Sequence, residues 1–166
     1  IFLKNKKKIN IFANNETLKY LKNNFSYCFE NNFGYPSILK ANKLKKKFSL
    51  GDNKNKINFE SFEVKHGRIN SVAYIFNKIA YISDCSHLNK SNLRKLKNLN
   101  ILIIDCLRFD DHYSHLTYNK VLEIISLIKP KKTILTNLNN EMDYNYLLKI
   151  LPKNIKPAYD GMKFNI

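Results

Sequence analysis

Ile101-Leu102-Ile103-Ile104-Asp105 is an apolar run without alternation, closed by a carboxylate. A run of this kind reads as a strand covered on both faces, with Asp105 ending it. Downstream, Thr117 can cap a helix carrying Val121, Leu122, Ile125 and Ile128, which stops before Pro130. Thr133 to Thr136 reads as the next strand, Met142 to Leu151 as a helix, and Pro157 to Ile166 as an extended tail turning at Asp160-Gly161. Strand, helix and strand in succession predict that Ile101–Ile104 and Thr133–Thr136 are neighbours in one sheet.

Upstream of the run, Leu93, Leu96 and Leu99 give Leu88 to Leu99 a helical spacing. Val72–Phe76 and Ile79–Ser83 flank Asn77-Lys78, the pattern of a tight hairpin. Ile57, Phe59, Phe62 and Val64 make an extended segment whose one change of phase reads as a bulge, ending at His66-Gly67. The polar, basic stretch Lys43 to Lys56 suits a hairpin or surface loop, and Phe33-Gly34-Tyr35-Pro36 reads as loop. At the start, Ile9–Phe12 reads as a strand, followed by a helix capped at Asn14 or Asn15 and carrying Leu18, Leu21 and Phe25. Strands and helices in this order predict a layered α/β sandwich rather than a bundle or a barrel.

The chain has 166 residues and 44% apolar composition, enough to bury a core and, at this length, pointing to one domain. No apolar stretch approaches the roughly 18 residues of a membrane span. The net charge is +16, and only Arg68, Arg94 and Arg108 of the basic residues are not lysine. The lysines are scattered, which favours a solvated basic surface over a dedicated nucleic-acid groove, while still favouring phosphate-bearing partners. Cys28, Cys85 and Cys106 are odd in number and lack metal-finger spacing, so they read as free thiols in a reducing, cytoplasmic setting.

Polar residues gather where strands end. His66, Asp84, Asp105 and Asn137 each sit at or directly after such an end, and Asp110 to His115 fill a strand-to-helix loop. Ligands bind at strand ends because rigid strands fix the geometry and loops supply the chemistry. An imidazole and a carboxylate suit a divalent metal, yet the pair His66 and Asp84 equally suits ordinary loop hydrogen bonding. His112-x-x-His115 suits a metal, a general acid, or two surface imidazoles. Asp105 fits a backbone anchor better than a catalyst. Ser83, Ser86 and Ser114 lack a Gly-x-Ser-x-Gly elbow, which argues against a serine nucleophile.

Six segments in order carry a resemblance: Phe62-Glu63-Val64-Lys65-His66-Gly67, Ala80-Tyr81-Ile82-Ser83-Asp84-Cys85, Leu102-Ile103-Ile104-Asp105-Cys106-Leu107-Arg108, His112-Tyr113-Ser114-His115-Leu116, Thr133 to Leu138 leading to Met142-Asp143-Tyr144, and Pro157 to Met162. The series resembles the metallo-β-lactamase-fold hydrolases of the phosphoribosyl 1,2-cyclic phosphate phosphodiesterase type, across essentially the whole chain. The resemblance implies an α/β (α+β) class, an αββα four-layer sandwich of which this is the C-terminal portion. It implies two divalent metal ions, zinc or manganese, in the complete protein. His66 would ligate metal, Asp84 would bridge the pair, and Asn137 would occupy a position where the family usually has a ligand histidine. Such enzymes attack phosphorus with a metal-held hydroxide, and His115 would donate a proton to the departing alkoxide. Arg108 and His112 are the candidate substrate-binding residues.

The family's leading His-x-His-x-Asp-His motif belongs upstream of Asn14–Thr17, so residues 1–166 are expected to form a single partial domain without that half. Asn137, Asn139 and Asn140 stand where the family carries imidazole, and an amide oxygen suits manganese better than zinc. The leading expectation is a metal-dependent phosphodiesterase or ester hydrolase, this chain being inactive alone. The second is a degenerate sandwich retained for binding, and the third a basic nucleic-acid module. The expected partners are a small phosphodiester or ester and, for assembly, a second copy in a homodimer, with neither membrane nor nucleic acid.

Overall fold

A computed structural model describes residues 7–31 and 34–164. Phe33 of the expected loop and the last two residues of the expected tail lie outside the described residues. The chain divides into two compact units, one up to Lys45 and one from Lys46 onward.

In the first unit, β1 (Ile9–Ala13) pairs in parallel with β2 (Leu39–Lys43). Parallel neighbours need a long crossover, and α1 (Asn15–Asn24) lies within it. Asn14 caps that helix, its side chain accepting from the Thr17 amide at 2.8 Å.

The second unit is one seven-stranded sheet in sequence order: β3 (Lys47–Leu50), β4 (Ile57–His66), β5 (Ile69–Phe76), β6 (Ile79–Ile82), β7 (Ile101–Asp105), β8 (Lys132–Thr136) and β9 (Ile155–Pro157). β3 to β6 form an antiparallel meander, and β6 to β9 run parallel. β7 and β8 are neighbours as expected, with Ile101 opposite Lys132 and Asp105 opposite Thr136. The β5–β6 turn is the expected two-residue hairpin. Asn77 and Lys78 both take positive φ, 47° and 61°, the pair of values whose twist matches the flanking strands.

α2 (Lys90–Lys95), α3 (Tyr118–Ile128) and α4 (Tyr144–Ile150) complete this unit. Leu102 and Ile104 of β7 join Ile82 and Leu135 in a core shared with Val121, Ile124, Ile125 and Ile128 of α3. Each of those four α3 side chains contributes about 1.5–3 kcal/mol by leaving water. Ile101 instead joins Ile79 and Ile134, with Ala158 and Met162 of the tail packed over them. β7 therefore buries both faces, which is why its sequence does not alternate.

Three local readings need correction. β4 contains no bulge: its pairing with β3 and β5 is unbroken from Lys47↔Glu60 to His66↔Ile69. Its phase changes because both faces carry apolar residues. Phe62 and Val64 enter the helix-side core, and Phe59 stacks on Phe48 with ring centroids 5.1 Å apart. The expected Leu88–Leu99 helix is only Lys90–Lys95, because the Leu96 amide bonds back to Asn92 and Leu93 and Asn98 turns the chain at φ 59°. The helix expected from Met142 starts at Tyr144, because Asp143 is its cap, accepting from the Tyr146 amide at 2.7 Å. Thr117 stands at the cap of α3 but makes no side-chain capping bond.

Candidate metal centre

β4 runs parallel to β6, β7 and β8, so all four end on one side of the sheet. His66 is the last residue of β4, Asp84 lies two beyond β6, Asp105 closes β7, and Asn137 follows β8. His115 reaches the same place from the loop between β7 and α3.

His66, Asp84 and His115 each offer one ligand atom, all within 4.8 Å of one another, and each residue is half-buried. The hydrogen bonds set the imidazole tautomers. His66 Nδ1 lies 2.7 Å from the Ser114 carbonyl oxygen, which only accepts, so Nδ1 carries the proton and Nε2 keeps its lone pair. His115 Nδ1 lies 2.9 Å from Asp105 Oδ2, which likewise frees its Nε2. The two rings meet edge to face with centroids 4.7 Å apart.

Asp84 is held from several sides. Its backbone carbonyl accepts from the Ser71 hydroxyl, and its Oδ2 accepts from the Ser83 hydroxyl at 2.9 Å. Asn137, at φ 60°, donates its amide Nδ2 to the Ser83 carbonyl and, at 3.4 Å, to Asp84 Oδ1. Asn137 thus sits beside Asp84 with its N–H, rather than its amide oxygen, directed at the carboxylate.

Asp105 is wholly buried, and its Oδ2 accepts from the amides of Cys85 and Leu116 as well as from His115. Burial pushes its carboxyl above the usual carboxylate range, against the pull of those three donors. His112 Nδ1 accepts from the Ser114 amide at 3.3 Å, which puts its proton on Nε2. Burial and the neighbouring Arg108 and His115 charges hold its basicity below that of a free imidazole. Arg108 donates from a terminal guanidinium nitrogen to the Asp111 carbonyl at 2.6 Å. Both candidate substrate-binding residues therefore lie in the loop that carries His115.

Two residues escaped the sequence reading as site builders. Ser114 grips His66 with its carbonyl and His112 with its amide. Asp105 orients His115 ten residues later; a strand-ending Asp followed by a His-x-x-His loop is the signal that could have found it. The donor set, two imidazoles and a carboxylate, fits one zinc or manganese ion. Among the described residues this is the one such cluster.

The comparisons agree with this architecture. The model of the β-lactamase superfamily domain matches residues 2–136. Among solved structures, a diphosphatase from the PhnP family is 25% identical with a TM-score of 0.81, covering 94% of this chain and 57% of that one. Zinc-bound PqqB from Methylobacterium extorquens has a TM-score of 0.73 at 12% identity, covering 99% and 67%. Human tRNase Z, short form, has a TM-score of 0.59 at 18% identity, covering 93% and 66%. The last two likenesses concern the fold alone. An octanoyltransferase of Porphyromonas gingivalis is 26% identical over 159 residues, 92% of this chain but 31% of that protein. The chain thus spans under a third of that curated relative and little more than half of the diphosphatase. Among the described residues no helix is long and apolar enough to cross a membrane. With most of its length matched by the family model, the chain belongs to the β-lactamase superfamily of metallo-hydrolase-fold domains.

Proposed function

We propose that this chain supplies one side of a metal-dependent hydrolase site acting on a small or cyclic phosphodiester. The observation that carries the reading is the meeting of His66, Asp84 and His115 ligand atoms within 4.8 Å at the strand ends. His66 through Nε2 and Asp84 through its carboxylate would hold a divalent ion. A bound ion supplies Lewis acidity that activates water near neutral pH and offsets charge developing on phosphate oxygens. His115 serves as general acid: the proton on its Nε2 passes to the departing alkoxide oxygen, and the Asp105 carboxylate stabilises the imidazolium that carries it. Arg108 and His112 lie beside this point and suit the negative charge of the substrate. The likeness to a diphosphatase at 25% identity supports a phosphorus-centred substrate.

One observation favours a second reading, a sandwich kept for binding without chemistry. Asn137 occupies the position after β8 and aims an N–H at Asp84, which consumes carboxylate capacity that a metal would use. The discriminating experiment titrates the chain with manganese and zinc and follows hydrolysis of bis(p-nitrophenyl) phosphate. Metal-dependent turnover abolished by both Asp84→Ala and His115→Ala supports the hydrolase. Metal binding abolished by Asp84→Ala without turnover by this chain supports the binding reading for the chain as it stands. Metal affinity untouched by Asp84→Ala sinks both.

A further inference from the structure

The ring of Tyr113 is 78% exposed at the rim of the candidate centre, yet it is held in place from two sides. On one side is Gly67, at φ 59°: a Cβ there would come within 3.0 Å of the Tyr113 Cε2 and 3.2 Å of its Cδ2, so the ring rests where only glycine leaves room. On the other is His112, with ring centroids 5.2 Å apart and planes tilted by 33°. His112 in turn lies 5.2 Å from His115, and His115 lies 4.7 Å from His66. Four rings therefore step outward from the metal-capable cluster to solvent, and the last is apolar, planar and open. Gly34 and Gly161, by contrast, have nothing within 4 Å of a Cβ, so the close seating of Tyr113 on Gly67 is particular to this rim.

We propose that Tyr113 is a specificity-determining platform on which a planar ring of the substrate stacks, which makes the substrate class a nucleoside or aryl phosphodiester. The inference rests on the hydrolase reading above for the position of the phosphorus, near His66, Asp84 and His115. Two ring-to-ring steps separate His115 from Tyr113, a reach suited to the pentose between a phosphate and a base. An aromatic ring already fixed by its neighbours loses little freedom when a ligand stacks on it, so the contact favours binding at low entropic cost. Every nucleobase offers a π-face, so the platform selects for a ring without reading which base it is.

The test is calorimetric titration of the chain, in the presence of manganese, with adenosine 5′-monophosphate and with ribose 5-phosphate. Stacking on one aromatic side chain predicts that the nucleotide binds about tenfold more tightly than the sugar phosphate. Tyr113→Ala should erase that preference, while Tyr113→Phe and Tyr113→Trp should keep it, because the ring and not the hydroxyl does the binding. Equal affinity for the two ligands in the unaltered chain, binding of neither, survival of the preference in Tyr113→Ala, or its loss in Tyr113→Phe would each overturn the proposal. Failure of the hydrolase reading looks different: a ring preference with no metal-dependent turnover leaves the platform standing and removes the chemistry.

Discussion

His115 Nδ1 and Asp105 Oδ2 are 2.9 Å apart, and the carboxylate that receives the imidazole N–H is fully enclosed. The same oxygen accepts the amides of Cys85, after β6, and Leu116, before α3. One oxygen thus ties two loops and a functional histidine to the end of β7. Truncation leaves three donors without a partner in a buried setting, which is costlier than losing one exposed bond. Asp105→Ala should lower the stability of the second unit by about 3 kcal/mol in urea denaturation. Asp105→Asn, which keeps one acceptor oxygen, should cost less than Asp105→Ala. Equal stability of all three proteins would show that the carboxylate carries no structural weight.

Gly67 lies at φ 59°, and a Cβ placed on it would come within 3.0 Å of both the Ser114 Cβ and the Tyr113 ring. Gly67→Ala should therefore combine backbone strain with a push on the loop whose Ser114 carbonyl fixes His66. We expect a loss of about 1–3 kcal/mol in thermal or chemical unfolding. Metal affinity should weaken in parallel. A variant that unfolds like the parent and binds manganese equally would show that the loop yields freely.

Much of this arrangement was legible in the residues, and the parts that were not have physical causes. The β7 run declared a strand covered on both sides, and the positions of His66, Asp84 and Asn137 after apolar segments placed them at strand ends. Asp105 was read as an anchor, which it is. Its hold on His115 depends on the loop folding back on the strand end, which spacing alone does not specify. The β4 phase change was misread because alternation assumes one apolar face, whereas Phe59 has Phe48 to stack on opposite Phe62's side. Leucine spacing overran α2 because Leu96 and Leu99 are buried from outside the helix as readily as from within it.

Cys85 and Cys106 are buried beside Asp105, and burial, the larger cause, together with that carboxylate pushes each thiol up to about 12. At neutral pH both are protonated in the folded and unfolded chain alike. Above about pH 9 the unfolded thiols ionise and the folded ones do not, so the unfolded state is favoured as pH rises. Each thiol should then remove stability at up to about 1.4 kcal/mol per pH unit until its folded value is reached. Urea midpoints measured between pH 8 and 11 should fall accordingly, and less steeply in Cys85→Ala, compared with its own neutral-pH midpoint. In native buffer at pH 8, iodoacetamide should label Cys28, which is partly exposed, far faster than the other two. Equal labelling of all three would contradict the burial.

Asn137 offers the sharpest test of whether the centre is weakened or merely different. Its amide nitrogen faces Asp84 Oδ1 at 3.4 Å and also donates to the Ser83 carbonyl, so its present role is that of a hydrogen-bond donor tightening the loop after β6. An imidazole here would bring a lone pair to within reach of an ion held by Asp84, adding a nitrogen donor of the kind zinc prefers. The backbone permits it, because φ 60° is a left-handed value that histidine, like asparagine, adopts more readily than most residues. Asn137→His should therefore raise zinc affinity by about tenfold or more, at a small cost in stability from the lost bond to Ser83. Manganese, which prefers oxygen donors, should gain less. Competition against a chromogenic chelator measures both. An unchanged zinc affinity, with the variant folded as judged by its unfolding midpoint, would show that residue 137 lies outside the coordination sphere and that Asp84 binds metal without help from β8.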